Sequence, residues 1–260
     1  RVFPDDPTCP HQALARRPPP PYGASPISQA LLERAMAALP MTRFTQSYGM
    51  TEAAPVITVN PWRNHQGEAL RNGLVRSAGR AGWGLEVRIV DGQGTEVPRG
   101  TVGEVIARGD NIMQGYWNKP EATAEALRDG WLHTGDGGYM DEQGYIYIVD
   151  RLKDMIVSGG ENVYCAEVEN ILARHPAVAA CAVIGIPHPT WGESVHAVVV
   201  ARAGMAVDEA TLTGFCRAEL AGYKCPRSVE FRQELPLSGP GKVLKHVLRE
   251  PYWKDRPARL

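Results

Sequence analysis

The sequence predicts a mixed fold, α/β and mostly β up to about residue 150 and a small α+β region beyond it. Three observations lead there. Alternating apolar segments bounded by Gly-containing turns recur between residues 70 and 150. Past Asp150 the pattern changes to alternating helix-like and strand-like segments. The two textures meet at Asp150–Arg151, which sets the expected boundary between a domain over 22–150 and one over 151–260.

The elements follow in order. Residues 1–21 carry six prolines before Pro21 and little hydrophobic periodicity, so a disordered, Pro-rich leader is expected there. Ser28 to Leu39 places Ile27, Leu31, Leu32, Ala35 and Met36 on one helical face, and Pro40 closes the helix. Leu85 to Val90 alternates strictly and meets the turn Asp91-Gly92-Gln93-Gly94, after which Val102 to Arg108 reads as a second half-buried strand. Pro120 suits the first position of a short helix, Glu121 to Leu127. Asp141 to Gly144 turns the chain into the strand Tyr145 to Val149, which ends at Asp150.

In the second region, Asn162 to Arg174 reads as a helix burying Val163, Val168, Ile171 and Leu172. Ala179 to Ile186 and Val195 to Ala201 read as strands. Asp208 caps a helix carrying Leu212, Phe215 and Leu220 that ends near Gly222. Val229 to Arg232 is a last short strand, followed by the basic segment Gly241 to Arg249.

Composition narrows the function classes. The net charge of -1 gives no basic field to recruit nucleic acid or anionic lipid. Five scattered cysteines with no C-x-x-C pair argue against a disulfide framework or zinc site and for a reducing compartment. The longest strongly apolar run, Ala177 to Ile186, is about half of the ~20 residues a membrane-spanning helix needs. No signal-peptide core is present, so a cytoplasmic location is the expectation.

Four signatures carry candidate chemistry, each with an ordinary alternative. Tyr48-Gly49-Met50-Thr51-Glu52 sets a hydroxyl beside a carboxylate, suited to a phosphate oxygen and Mg²⁺, or forms a plain turn. His133-Thr134-Gly135-Asp136 reads as a Gly-rich loop whose acid could accept ribose hydroxyls or cap backbone N–H groups. Asp150-Arg151-Leu152-Lys153-Asp154 leads into Ser158-Gly159-Gly160-Glu161-Asn162, a hinge with a ligand-binding arginine or a surface ion pair before a turn. Ser238-Gly239-Pro240-Gly241-Lys242-Val243-Leu244-Lys245 presents two lysines without Walker spacing, for phosphate charge or as a solvated basic face.

Together and in this order, over about residues 22–255, these signatures resemble the adenylate-forming family of acyl- and aryl-CoA synthetases, luciferases and peptide-synthetase adenylation domains. Gly115-Tyr116-Trp117, Gly130 to Asp136 and Asp150 to Ile156 carry much of the likeness. Ser158 to Tyr164 and Phe215 to Glu250 look like the acyl-CoA synthetase branch. The resemblance implies the C-terminal part of a large AMP-binding domain with a small β subdomain, then a small C-terminal domain. It implies that a carboxylate attacks ATP to give acyl-adenylate and that CoA thiol then displaces AMP, the small domain swinging between the steps.

By position, the resemblance places Gly23 and Ala24 along the adenine and Tyr48 on the base, within a nucleotide-binding stretch that includes Gly49 and Met50. Thr51 would touch phosphate and Glu52 would hold Mg²⁺. Asp136 and Arg151 would bind ribose, and Asp150 would be the hinge. Lys242 would be the catalytic lysine, and Gly159 and Gly160 would line the path of CoA. Substrates would be ATP and a carboxylic acid, with a lean to fatty acids.

The departures set further expectations. The family's phosphate loop, of the type T-S-G-T-T-G-x-P-K-G, does not occur in these residues, so an inactive fragment missing an N-terminal half is expected. The alternatives are a non-catalytic nucleotide-binding or assembly module and one half of a two-chain ligase. Cys165 stands where the family usually has proline, and Pro240 alters the loop before Lys242. Residues 22–65, lacking the sheet they would pack on, are expected to expose apolar surface.

Overall fold

A computed structural model describes residues 21–23, 29–239 and 241–254. The expected leader over 1–20, Ala24, Ile27, Ser28 and Pro240 lie outside the described residues. The chain divides into two compact units, the first running up to Val149 and the second starting at Asp150.

The first unit opens with a β-α-β turn. Strand β1 (Pro21–Gly23) lies parallel to β2 (Thr45–Tyr48), and helix α1 (Gln29–Ala38) connects them. Pro21, expected in the leader, is thus a strand residue. β3 (Thr58–Asn60) and β4 (Arg80–Ala81) extend this sheet antiparallel, in the order β1-β2-β3-β4. The helical face read from sequence packs inward: Leu32, Ala35 and Leu39 bury themselves with Phe44 and Val75. The exposed apolar surface expected over 22–65 is therefore small among the described residues. Among the described residues of that stretch, Met41 is the one large apolar side chain left out, 78% exposed. A short helix α2 (Gly67–Arg71) precedes β4.

The second sheet of this unit holds β5 (Leu85–Val90), β6 (Gly103–Gly109), β7 (Leu127–Arg128), β8 (Trp131–Met140) and β9 (Ile146–Arg151), with helix α3 (Pro120–Ala126) beside β7. The order is β5-β6-β8-β7, and β9 pairs with β8. The period-2 alternation has its cause here. Ile89, Val105, Met140 and Ile146 meet on one face, while Val90, Ile106 and Trp131 meet on the other. The guanidinium groups of Arg88 and Arg108 each lie 4.6 Å from the Trp131 ring, so charged side chains shield the second face through their flat surfaces.

One expectation fails in this sheet. Trp131 to Asp136 is not a loop; it opens the ten-residue strand β8. Glycine masks the strand in the sequence but suits it in space. Gly135 takes φ +68° beside a register shift on β6, and a Cβ at Gly138 would stand 2.7 Å from the Tyr147 carbonyl oxygen.

The second unit is one sheet covered on both faces. β10 (Ile156–Ser158) and β11 (Glu161–Val163) form a hairpin, β12 (Val178–His188) and β13 (Gly192–Ala201) form the long central pair, and β14 (Ser228–Phe231) runs parallel to β13. α4 (Cys165–Leu172) and α5 (Glu209–Arg217) enclose Val163, Val168, Leu172, Val183, Val195, Leu212 and Cys216. α6 (Lys245–Trp253) brings Leu248 against Ala182, Ile184 and Val198 on the opposite face. Adjacent β12 residues therefore bury on opposite sides, which is why the stretch reads as one continuous apolar run.

Two boundaries move. Gly159 and Gly160, at φ +62° and +86°, turn a two-residue hairpin, so Val163 belongs to β11 and the helix starts at Cys165 rather than Asn162. The basic segment from Gly241 is a helix from Lys245 onward. Asp208 caps α5 as expected, accepting a 2.8 Å bond from the Thr211 N–H.

Candidate functional site

In the first unit the chemistry gathers where β2 ends. Gly23 pairs with Ser47 in register, and a Cβ on it would stand 2.2 Å from the Ser47 carbonyl oxygen, so only glycine fits the close strand approach. The same holds at Gly49, whose Cβ would meet the Pro55 oxygen at 2.1 Å. The Ile57 N–H donates to the Tyr48 carbonyl at 2.8 Å, and between them Thr51–Ala53 forms a single 3₁₀ turn. Met50 and Tyr48 pack beside Ala53, Ile57 and Leu132, which leaves the Thr51 side chain exposed and Glu52 half-buried.

β8 delivers the acid. Tyr48 donates its phenolic proton to Asp136 Oδ2 at 2.7 Å, across 88 residues of sequence. Asp136 is 7% exposed, and its backbone N–H donates to Thr134 Oγ1 at 3.1 Å. Thr134 in turn donates to the Val105 carbonyl at 2.6 Å. Glu104 fixes the bulge from the other side, accepting from the Gly135 N–H at 3.0 Å and pairing with His133 Nδ1 at 2.7 Å. Tyr48, Thr51, Glu52 and Asp136 therefore come from two sheets to one edge.

A neighbouring segment wraps the Thr51–Glu52 turn. Asn111 Nδ2 donates to the Ala53 and Val56 carbonyls at 2.6 and 3.0 Å. The Met113 N–H donates to the Glu52 carbonyl at 2.8 Å, and the Tyr116 hydroxyl donates to Glu52 Oε1 at 2.7 Å. The hydrogen bond to Glu52, more than burial, holds the Tyr116 hydroxyl above its ordinary pKa. Sequence reading assigned no function to Asn111, Glu104 or Tyr116. For Tyr116 the available signal was Gly115-Tyr116-Trp117, which pointed to likeness without a role.

In the second unit, Asp150 ties the strand end to α4. Its Oδ1 accepts from the Arg151 N–H at 2.8 Å and its Oδ2 from the Ala166 N–H at 3.2 Å. Arg151 is half-buried. Gly159 and Gly160 are exposed at the hairpin tip, and the Gly159 N–H donates to the Trp191 carbonyl at 2.9 Å. The Trp191 ring lies between the Arg227 guanidinium, 3.5 Å away, and the stacked His188 ring, 4.2 Å away.

Lys242 sits exposed at a tight turn: its N–H donates to Ser238 Oγ at 3.1 Å, and its carbonyl accepts from the Ser238 N–H at 2.8 Å. Lys245 corrects the reading of a solvated basic face. It pairs with Glu169 at 2.8 Å, the two side chains being 14% and 23% exposed. Burial works against its charge, but the Glu169 and Asp150 carboxylates hold its pKa above the ordinary lysine value. One turn on, Arg249 pairs with Asp154 at 2.8 Å. The spacing of Lys245 and Arg249, four apart, was the helical signal available in the sequence. Cys165 itself is buried, with its thiol pushed up by desolvation, so the side chain at the family's proline position is an inert core residue.

Among the described residues, no three His, Cys, Asp or Glu side chains come together to hold a metal ion, and no helix is long and apolar enough to cross a membrane. Glu52 therefore belongs to no ready-made metal cluster and stands beside the Thr51 hydroxyl. That donor set fits Mg²⁺ carried in largely by phosphate oxygens, which takes one or two protein carboxylates.

Two family models match in tandem: AMP-binding enzyme over residues 16–117 and AMP-binding enzyme C-terminal domain over residues 167–242. A feruloyl-CoA synthase of Amycolatopsis sp is 49% identical over 87% of this chain and 45% of its own length. A long-chain-fatty-acid–CoA ligase of Escherichia coli O6:H1 is 42% identical over 88% of this chain and 39% of its own. Among solved structures, ATP-bound MatB from Rhodopseudomonas palustris superposes with a TM-score of 0.82 at 36% identity, covering 94% of this chain and 49% of that one. The o-succinylbenzoate CoA synthetase of Bacillus subtilis, in complex with its acyl-adenylate, gives 0.80 at 32% identity over 96% and 50%. The chain spans about half the length of the relatives it matches. With both family models in order, and relatives and neighbours of one kind along nearly its whole length, the chain belongs to the adenylate-forming, AMP-binding enzyme family.

Proposed function

We propose that this chain carries the nucleotide-, metal- and thioester-side elements of an ATP-dependent ligase that joins a carboxylic acid, of the fatty or aryl class, to CoA. The observation that carries the reading is the Tyr48–Asp136 bond, which fixes an aromatic face beside a carboxylate at the edge holding Thr51 and Glu52. In the first step, a carboxylate oxygen attacks the α-phosphorus of ATP, a new P–O bond forms, and pyrophosphate leaves. Asp136 accepts ribose hydroxyls, Tyr48 stacks on the adenine beside Gly23, Ala24, Gly49 and Met50, and Thr51 donates to a phosphate oxygen. Glu52 would hold Mg²⁺, which when bound neutralises phosphate charge.

Lys242, a cation on an exposed turn, neutralises charge between the carboxylate and the α-phosphate; removing such a group costs about 10²–10³-fold in rate. In the second step, the CoA sulfur attacks the acyl carbon, the thiol proton passes to solvent, and AMP leaves. Gly159 and Gly160 line the thiol arm's path, Arg151 binds ribose hydroxyls, and Asp150 is the hinge of a domain boundary at Asp150–Arg151.

The 260 residues contain no phosphate loop of the T-S-G-T-T-G-x-P-K-G type, so we expect this chain by itself to bind adenylate without turning it over. Titration with a non-hydrolysable acyl-adenylate analogue tests the reading. Saturable binding that Asp136→Ala weakens by about 10–150-fold supports it. Equal binding by the wild type and Asp136→Ala refutes the nucleotide site.

A further inference from the structure

Glu52 does not stand free at the edge of the site. The segment 111–116 fastens the Thr51–Glu52 turn at four points: two carbonyls held by Asn111, the Glu52 carbonyl by Met113, and the Glu52 carboxylate by Tyr116. The first three set the backbone. The fourth is of another kind, since it reaches the side chain, takes only Oε1, and leaves Oε2 for another electrophile.

Tyr116 is itself held. Its N–H donates to Thr123 Oγ1 at 2.9 Å, and that hydroxyl donates to the Lys119 carbonyl at 2.8 Å, locking the residue to the start of α3. Gly115 takes φ +151° just before it, and a Cβ there would come 2.8 Å from Thr123 Cγ2. The adjacent Trp117, by contrast, is 89% exposed. The chain is therefore shaped to deliver this phenol to this carboxylate.

We infer that Tyr116 is a positioning residue for the metal: its hydroxyl orients the Glu52 carboxylate so that the free oxygen meets Mg²⁺ arriving with a nucleotide. The inference rests on the proposed nucleotide site and adds a residue to it. Its physical basis is that a ligating carboxylate with one fixed oxygen loses less rotational freedom on binding. Outer partners of this kind typically matter by about 10–100-fold in metal affinity. Among the described residues no group of three His, Cys, Asp or Glu side chains stands ready for a metal, so the orientation of Glu52 weighs heavily on the ion.

The test is calorimetric titration of ATP into the 260-residue chain, in EDTA and again in saturating Mg²⁺, for the wild type, Tyr116→Phe and Glu52→Gln. The wild type should bind more tightly with Mg²⁺. Tyr116→Phe should leave the EDTA affinity within about twofold and cut the Mg²⁺-dependent gain by about 10-fold, and Glu52→Gln should abolish the gain. An undiminished Mg²⁺ gain in Tyr116→Phe overturns the inference and leaves the nucleotide site standing. A Tyr116→Phe chain that loses affinity equally in EDTA and in Mg²⁺ also overturns it, because the phenol is then only a structural prop. A wild type with no Mg²⁺ gain removes the metal role of Glu52 and the inference with it.

Discussion

Single side chains decide the site's electrostatics. Asp136 is nearly buried yet keeps a donor in Tyr48, so its carboxylate is oriented before any ligand arrives. Hydrogen bonds to a charged group contribute about 1.5–3 kcal/mol each. Asp136→Ala should therefore weaken AMP binding by about 10–150-fold, and Tyr48→Phe by less; an unchanged dissociation constant for Asp136→Ala would refute the ribose role. In the second unit, Lys245→Met would strand Glu169, whose other contact is the Val183 N–H at 2.7 Å. Losing one partner of a buried pair costs about 3–5 kcal/mol, and the residual exposure of both groups brings the expectation to about 2–4 kcal/mol by urea denaturation. His196 gives a pH dependence. Tyr252 donates to Glu230 at 2.9 Å, so its oxygen accepts from His196 Nε2–H at 3.1 Å, while Nδ1 accepts from Ser228 at 2.7 Å. Burial lowers the His196 pKa below its ordinary 6.5, with Glu230 opposing. The unfolded chain then binds the proton first as pH falls, so stability contributed by the neutral ring is full above about pH 6.5 and declines below it. His196→Gln should flatten that decline in a series of melts from pH 7.5 to 5; an unchanged slope would show that other groups cause it.

At the scale of elements, glycine does two different jobs that substitution separates. Gly160 needs its positive φ but has open space around it, so Gly160→Ala should cost only the left-handed conformation, about 1–2 kcal/mol. Gly49 has no room at all, and Gly49→Ala must push β2 from the Pro55 carbonyl, costing more than Gly160→Ala in thermal melts. The reverse ranking would mean the close approach is soft. The same elements show what the sequence made legible. β5, β6, the Pro120 helix and the Asp208 cap carried local signals, period-2 alternation, an N1 proline and a capping side chain, and formed as read. β8 did not, because glycines at 135, 137 and 138 imitate a loop while serving a bulge and a close strand contact. The β10–β11 hairpin merged with the following helix, since Val163 satisfies the helical period and the strand core alike. α6 was hidden by its charge: Lys245 and Arg249 look solvated until Glu169 and Asp154 are seen opposite them. The Tyr48–Glu52 and Asp136 motifs were legible as chemistry, whereas Tyr116 and Asn111 act through contacts more than 50 residues away in sequence that no local pattern encodes.

For the molecule as a whole, each unit closes its own cores, and the one beginning at Asp150 buries apolar side chains on both faces of its sheet from within that unit. A chain starting at Asp150 should unfold in a single cooperative transition; a gradual, non-cooperative melt would contradict an independent unit. The residues with proposed roles fall in both units, Tyr48, Glu52, Tyr116 and Asp136 in the first and Arg151, Gly159, Gly160 and Lys242 in the second. The central claim is that these residues serve adenylate formation. The most direct measurement is carboxylate-dependent ATP–pyrophosphate exchange, by the chain alone and by the chain co-expressed with an N-terminal half that carries the phosphate loop. The account predicts no exchange alone, exchange in the pair with a fatty or aryl acid, and loss of at least about 10²-fold with Lys242→Ala. Exchange by the chain alone, or exchange in the pair that survives Lys242→Ala unchanged, would contradict it.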